Sequence, residues 1–346
     1  MRGRAQPRTV GAARAAAADW VARHAAGAPG FRGAFLTGST LELPGDTVLP
    51  LGSDVDVIVL VDDSEPPPKL GKRLWRDVLV EVTFLPHAAL AAPDAVMADA
   101  RLAPSFRAGA VLADPTGHLR RLEAHIAPRF AEPLWVRRRC AQTLRRIEAG
   151  MRDVPADGPF HDQVTGWLFP TGVTTHVVLV AALRNPTVRL RYVAAREVLR
   201  ARGERALYGE LLRLLGCAGL GRARVAHHLD ALGRAFDDAA AVLRTPFAFA
   251  ADLTPAARPV AIDASRELVE RGDHREAMFW IVATFARCEQ VLAADAPPSP
   301  HTPAFRAAVA DLGIADPADL RRRAAEVTGL LPELASAAER VLRWRP

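Results

Sequence analysis

The sequence predicts an α+β fold, with a small sheet in the first part of the chain and an all-α helical bundle after it. Strand-like apolar runs end near residue 112, and after Gly117 apolar residues recur at helical spacing. The chain has 346 residues, half of them hydrophobic, which suits two domains. We place the boundary near residue 128, so the domains cover residues 1–128 and 129–346.

The first domain is predicted to contain four strands and two helices. The strands follow from apolar runs at residues 31–37, 54–61, 78–85 and 110–112. The helices follow from alanine-rich segments at residues 8–26 and 86–99. Between the second and third strands, three prolines at 66–68 predict an extended turn, followed by a short helix or loop from Lys69 to Trp75.

The second domain is predicted to be helical throughout, because its apolar residues keep the helical period. The clearest helical segments are residues 134–151, 174–199, and 258–293 with a break near Gly272-Asp273. A proline-containing linker at 295–301 leads to a last helical hairpin.

Asp54 and Asp56 stand at the start of a strand whose other residues are apolar. Alternate side chains of a strand share a face, so the two carboxylates must point the same way. Residues 57–61 are apolar on both faces, which indicates a strand buried on both sides. Two unpaired carboxylates would repel each other and lose hydration there, and a divalent cation would remove both penalties.

Glu81 lies in the middle of the next apolar run, where a charge without a partner would be costly, so it needs a metal or another cation. An Asp-x-Asp pair alone is more typical of a solvated strand edge than of a metal site. The conjunction of three acids in one stretch of strand, turn and strand favours a metal-binding cluster.

Gly38-Ser39 follows the first predicted strand. Alone, such a pair is typical of an ordinary turn. Next to a carboxylate cluster, the backbone N–H groups of the turn could hold phosphate groups, and the Ser39 hydroxyl would add a donor. A glycine at position 38 would leave room for the ligand to approach.

These motifs resemble those of the DNA polymerase beta-like nucleotidyltransferases, which carry Gly-Ser, a spacer, Asp-x-Asp or Asp-x-Glu in a strand, and a third acid in a neighbouring strand. The matching segments are Gly38-Ser39, Ser53-Asp54-Val55-Asp56-Val57 and Val80-Glu81-Val82-Thr83-Phe84. The last segment is most similar to the antibiotic nucleotidyltransferases of the kanamycin (aminoglycoside) type, and residues 169–197 more weakly resemble their substrate-facing helices. The spacer at 40–53 departs from the pattern and suggests a longer loop over the phosphates.

The resemblance implies a small mixed-sheet nucleotidyltransferase domain followed by a helical domain that binds the acceptor. It implies catalytic metal ligands Asp54, Asp56 and Glu81, and nucleotide-binding residues Gly38, Ser39 and Ser53. The expected cofactor is Mg²⁺, as two ions, because hard cations prefer oxygen ligands. The expected partners are a nucleoside triphosphate and a small molecule. AMP from ATP would be transferred to a hydroxyl or phosphate of that molecule, with release of pyrophosphate.

The resemblance also suggests residues in the helical domain. By its order along the chain, Glu148 is the counterpart of the glutamate that kanamycin-type enzymes use as general base. A surface glutamate paired with an arginine one turn away fits the same position. A polar stripe suggests His176, Arg184 and Arg189 as acceptor-binding residues, although His176 alone is more typical of a hydrogen-bonded core histidine.

The net charge is +6 and the isoelectric point is near 10.0, almost entirely through arginine, since Lys69 and Lys72 are the only lysines. Arginine clusters could bind a triphosphate, an anionic acceptor or a nucleic acid. Two tyrosines and no glycine-aromatic interleaving argue against a stacking surface for single strands, so nucleic acid is the less favoured acceptor.

The remaining composition suggests a cytoplasmic protein. Three widely spaced cysteines indicate neither a disulfide framework nor a zinc site. No uninterrupted apolar stretch is longer than Val177 to Leu183, which is too short to span a bilayer, so no membrane partner is expected. The oligomeric state stays open.

Two other functions are compatible with the motifs. AMP could be transferred to a protein or an RNA end, or the fold could serve as a nucleotide-sensing module without turnover. The presence of all three carboxylates argues against the second.

Overall fold

A computed structural model describes residues 8–107 and 109–343. The chain divides into two compact units, Met1–Phe130 and Ala131–Pro346. The first unit is built on a five-stranded mixed sheet, and the second is largely helical. The predicted α+β class is therefore confirmed.

The elements of the first unit are, in chain order, α1 (Val10–His24), β1 (Phe31–Thr37), β2 (Val55–Val61), β3 (Gly71–Trp75), β4 (Val78–Pro86), α2 (Pro93–Ala98), β5 (Val111–Ala113) and α3 (His118–Ile126). The strands lie in the order β3-β4-β2-β1-β5, with β2 and β4 parallel and the other neighbours antiparallel. The alanine face of α1 packs on one face of the sheet. On the other face the rings of Phe35 and Phe106 lie 5.0 Å apart.

Two sequence predictions in the first unit were wrong. The segment from Lys69 to Trp75 is not a helix or loop, because Gly71–Trp75 forms the edge strand β3. Its charged residues do not prevent strand formation, since Lys72 faces Glu81 on β4. The helix predicted over 86–99 is broken into a 3-10 helix, His87–Leu90, and the short helix α2, which begins anew at Pro93.

The helices of the second unit are α4 (Pro133–Arg152), α5 (Phe160–Ala181), α6 (Arg191–Ala201), α7 (Arg205–Leu215), α8 (Arg222–Val242), α9 (Ala264–Glu270), α10 (His274–Asp295), α11 (Thr302–Ala310) and α12 (Pro317–Arg343). The segment predicted as helical over 174–199 is interrupted. After α5 ends, Leu183 takes a φ of 56° and Pro186 disfavours helix at the residue before it, so α6 starts anew at Arg191.

The core of the second unit is organised around α5 and α10. Among the described residues, these two helices are long and apolar enough to cross a bilayer by length and composition, but 67% and 72% of their most apolar windows are buried. They also contact each other, because the rings of Phe169 and Phe279 lie 5.9 Å apart. In this structure, therefore, both are core helices. The same core contains the chain's three cysteines, all free thiols.

Candidate metal centre

The sheet brings the three predicted carboxylates together. Asp56 on β2 is the direct ladder partner of Glu81 on β4, so their side chains project from the same face. Asp54 precedes the first residue of β2 and shares a face with Asp56. One ligand oxygen from each carboxylate lies within 4.8 Å of the other two. The cluster predicted from the sequence is therefore present in the fold.

A tight turn at residues 50–53 directly precedes Asp54. The Ser53 N–H donates to the Pro50 carbonyl at 3.0 Å, and Gly52 takes a φ of 72°, as a type II turn requires of its third residue. Ser53, predicted to bind nucleotide, is thus the last residue of this turn and lies beside the first carboxylate.

Gly38 is fixed by its contact with the cluster. It has φ 77° and ψ −171°, a backbone region that only glycine adopts readily. A Cβ at this position would collide with Oδ2 of Asp56 and come within 2.9 Å of its Cγ. The sequence suggested that glycine leaves room for a ligand. In the structure, the Asp56 carboxylate lies where that side chain would be.

Ser39 begins a 3-10 helix, Ser39–Glu42, directly after Gly38. Its far end is held by Arg14 of α1, which donates to the carbonyls of Thr40 and Leu43, the latter at 2.7 Å. The backbone N–H groups at the start of this short helix therefore lie next to the carboxylates on a supported segment.

The long spacer between Ser39 and Asp54 is held against α1. The Val10 N–H donates to the Thr47 carbonyl at 2.8 Å, and the Gly11 N–H donates to the Gly45 carbonyl at 2.7 Å. The additional residues that set this spacer apart from the family pattern thus make defined contacts with the first turn of α1.

Lys69 and Lys72 contact the cluster, and sequence reasoning did not identify them as site residues. Nζ of Lys72 lies 2.5 Å from Oε2 of Glu81 and 3.1 Å from Oδ2 of Asp54, and its side chain is only 8% exposed. Lys69 forms a second ion pair with Glu81. The cation that Glu81 was predicted to need is therefore supplied by the chain itself. One signal was available, since these are the only lysines in a chain with 45 lysines and arginines.

The donor set fits Mg²⁺. Its three members, Asp54, Asp56 and Glu81, offer only carboxylate oxygens, which hard divalent cations prefer. None of the three buried cysteines belongs to this unit. Because Lys69 and Lys72 already pair with these carboxylates, a divalent cation would bind in competition with two ammonium groups.

Glu148, predicted as a general base, is exposed on α4 of the second unit. Its carboxylate lies 3.7 Å from Arg152, one turn along the helix, as in the surface-pair alternative. It lines a cavity of about 440 Å³ together with residues of α12, among them Arg321.

The three predicted acceptor-binding residues have different surroundings. Arg184 is exposed and lies 3.8 Å from Glu197, whereas Arg189 is buried and donates to the Val260 carbonyl at 3.2 Å. His176 is partly buried on α5, and its Nε2 is closed to solvent without a hydrogen-bond partner among the described residues. Burial holds the pKa of His176 well below its ordinary value, with a further lowering by nearby guanidinium groups. His176 is therefore neutral at pH 7.

No protein-family model matches the chain, and a search of curated proteins returns no relative. What can be said of function therefore rests on the site itself. That site is an acidic cluster able to hold a metal ion, on the face of a mixed sheet and beside a glycine turn.

Proposed function

We propose that this chain is a Mg²⁺-dependent nucleotidyltransferase that moves AMP from ATP to a hydroxyl or phosphate group of a small molecule and releases pyrophosphate. The observation that carries the proposal is the convergence of Asp54, Asp56 and Glu81 on one face of the sheet. Three carboxylates at this spacing suit the metal sites of phosphoryl-type transfer, in which charge neutralisation is the main catalytic task.

The three carboxylates would hold two Mg²⁺ ions. Bound there, Mg²⁺ would neutralise triphosphate charge and favour loss of the acceptor proton. The backbone N–H groups and hydroxyl at Ser39 can donate to phosphate oxygens. The ammonium groups of Lys69 and Lys72, once their carboxylates hold metal, can form charge-assisted hydrogen bonds to the same substrate.

The test is pyrophosphate release from ATP in the presence of Mg²⁺, with and without a cell extract as the source of acceptor. Mass spectrometry of the extract then identifies the product that has gained AMP. We expect Asp56→Asn and Glu81→Gln to reduce release by several orders of magnitude, because charge stabilisation at the reacting phosphorus is lost. The matched control is Asp63→Asn, an exposed acid that follows β2.

Two results would contradict the proposal. If either cluster variant kept more than about a tenth of the activity, a loss of only ~1.4 kcal/mol, that residue would not be a metal ligand. If the wild-type protein bound Mg²⁺ and ATP but never released pyrophosphate in any extract, nucleotide sensing would be favoured instead.

A further inference from the structure

Three helices of the second unit, α4, α5 and α6, contribute side chains to a group of two arginines and a histidine. The packing of α4 on α5 is defined by two contacts. Sγ of Cys140 donates to the Val177 carbonyl at 3.6 Å, and a Cβ on Gly150 would lie 2.5 Å from Cγ of Pro170. Residue numbers increase along α4 in the direction in which they decrease along α5, so the two helices are antiparallel.

This register brings Arg146 of α4 to within about one helical turn of the level of His176 on α5. Arg191 is the first residue of α6 and completes the group. Burial and then the Arg146 guanidinium lower the pKa of Arg191 to about 10, and both arginines lower the pKa of His176. The two guanidinium groups are therefore close enough to repel each other and to disfavour protonation of His176.

Two polar atoms of this group have no partner. Nε of Arg191 and Nε2 of His176 are closed to solvent and lack a hydrogen-bond partner among the described residues. No carboxylate in the described part of the chain raises the pKa of either residue. Arg191 also stands at a helix N-terminus, where the helix dipole disfavours a cation. The site thus has excess positive charge and unused hydrogen-bonding capacity.

Two other half-buried arginines of the same unit, Arg196 and Arg287, are paired with carboxylates. Arg287 lies 2.9 Å from Asp252, and Arg196 bridges Asp273 and Glu276 at 2.7 and 2.6 Å. Buried charges in proteins are normally paired in this way. Arg191 departs from that rule, which points to a negatively charged partner from outside the chain.

We propose that Arg146, His176 and Arg191 form a binding site for a phosphate-sized anion, and that this anion is part of the acceptor. Neutral His176 can donate or accept one hydrogen bond, and the arginines supply charge and fixed donor geometry. The triphosphate already has candidate partners in the first unit, at Ser39 and the two lysines. The assignment to the acceptor rests on the proposed function, whereas the anion site does not. Such a site would repel a polycation of the aminoglycoside type.

The site is tested by thermal unfolding of the full chain with inorganic phosphate, against sodium chloride at equal ionic strength. We expect phosphate to raise the midpoint of the wild-type protein. Arg191→Met should unfold at a higher temperature than wild type without phosphate, because an uncompensated buried cation is gone, and should bind phosphate at least tenfold more weakly. Arg191→Lys, which keeps the charge, should be intermediate. The control is Arg200→Met, an exposed arginine on the same helix, with no expected change in either measurement.

Equal phosphate shifts in wild type and Arg191→Met, or no shift in wild type, would overturn the site. The site would also be overturned if both Arg191→Lys and Arg191→Met kept the full wild-type affinity for phosphate. A purely structural role for Arg191 predicts the opposite sign in the absence of phosphate, namely a lower midpoint for Arg191→Met.

A second measurement identifies the source of the anion. Calorimetric titration of Arg191→Met with ATP and Mg²⁺ should give the wild-type affinity. A tenfold loss of ATP affinity would overturn the acceptor assignment, because the anion would then be the triphosphate. If the proposed function is wrong but the anion site is right, the wild-type protein will release no pyrophosphate from ATP and will still bind phosphate.

Discussion

Nζ of Lys72 lies within ion-pair distance of both Asp54 and Glu81, and this changes the physical account of the metal centre. From the sequence, the carboxylates were expected to repel one another until a metal arrived. In the structure, two ammonium groups already neutralise part of that charge. Removal of Asp54 or Glu81 therefore also breaks an ion pair with a lysine, so relief of repulsion alone no longer describes the effect on stability.

The first prediction concerns Lys72→Met. Its side chain and that of Glu81 are 8% and 11% exposed, and its removal takes an ion-pair partner from two largely buried carboxylates at once, Asp54 and Glu81, while Lys69 still pairs with Glu81. We expect the free energy of unfolding to fall by about 3 kcal/mol. Mg²⁺ should restore most of the loss and bind more tightly than to wild type, since one competing cation is gone.

Urea unfolding with and without Mg²⁺ measures both effects. Lys72→Arg keeps the charge and should stay near the wild-type stability. A Lys72→Met protein that matched wild type and did not respond to Mg²⁺ would show that Lys72 makes no energetically important contact with the carboxylates.

The second prediction concerns Gly38→Ala. The substitution forces a side chain into a backbone region that costs about 1–3 kcal/mol, and its Cβ must displace the Asp56 carboxylate. We expect Mg²⁺ affinity, measured by calorimetric titration, to fall at least tenfold, or ~1.4 kcal/mol. At Gly27 a Cβ would meet nothing within 4 Å, so Gly27→Ala is the control. Equal affinities in the two variants would separate Gly38 from the metal site.

Secondary-structure elements differed in how well the sequence predicted them. β1, β2 and β4 were located within a residue or so because each is largely apolar and contains at least three consecutive buried residues. β3 was missed because an edge strand needs little apolar surface and this one carries Lys72 and Arg73. Its strand character depends on pairing with β4, a long-range contact that no local pattern records.

The same difference applies to the site. Asp54, Asp56 and Glu81 were recognisable because acids are rare in strands of this kind. The contact of Lys72 with Glu81 could not be inferred, since it depends on the register of a strand that was not predicted. The surroundings of His176 depended on a helix break and on the packing of α4 against α5, which are also tertiary features.

The third prediction tests that packing. Gly150 on α4 and Gly209 on α7 are both helical glycines, so alanine at either position gains about 0.5–1 kcal/mol of helix propensity. At Gly209 a Cβ meets nothing within 4 Å, and Gly209→Ala should stabilise the protein. At Gly150 the Cβ would press on Pro170, and Gly150→Ala should destabilise it by about 1–3 kcal/mol.

Differential scanning calorimetry of the two variants decides this prediction. Because the substitution is chemically identical, a difference of sign isolates the helix contact from propensity. Stabilisation by both variants would mean that α4 and α5 are farther apart than described.

At the scale of the whole molecule, each unit has its own hydrophobic core. Cys140, Cys217 and Cys288 all lie in the core of the second unit, so their reactivity reports on that unit alone. Burial raises the pKa of Cys140 and of Cys217 to about 12, and that of Cys288 is raised as well.

The fourth prediction uses these thiols as probes. A thiol reagent at pH 8 should label none of them in the native protein and all three across one urea transition. Phosphate should move that transition to higher urea, because its proposed site lies in the same unit, and Mg²⁺ should leave it unchanged. The control, Cys140→Ser, should label at two positions. Labelling in the absence of urea would contradict the buried placement.

The fifth prediction concerns pH. Since the folded-state pKa values of Cys140 and Cys217 exceed the ordinary value of 9.0, the thiols favour the folded state below about pH 9. That contribution is lost as the pH rises from 9 towards 12, because the unfolded chain can ionise first. The thiol-labelling transition should therefore shift to lower urea above pH 9. Replacement of Cys140 and Cys217 by alanine should weaken this shift. If the urea midpoint of that variant depends on pH as in wild type, the shift belongs to other groups.

The placement of both lysines on the carboxylate cluster has a practical consequence for any binding assay. Reagents that modify lysine side chains have only Lys69 and Lys72 to react with, and both pair with the residues that would hold the metal. Immobilisation through lysine amines would therefore attach the protein by the face that carries the carboxylate cluster. Coupling through native thiols fails as well, because all three are buried. Immobilisation on a sensor surface therefore needs an added tag, and acetylation of the two lysines would remove both ammonium charges from the carboxylate cluster.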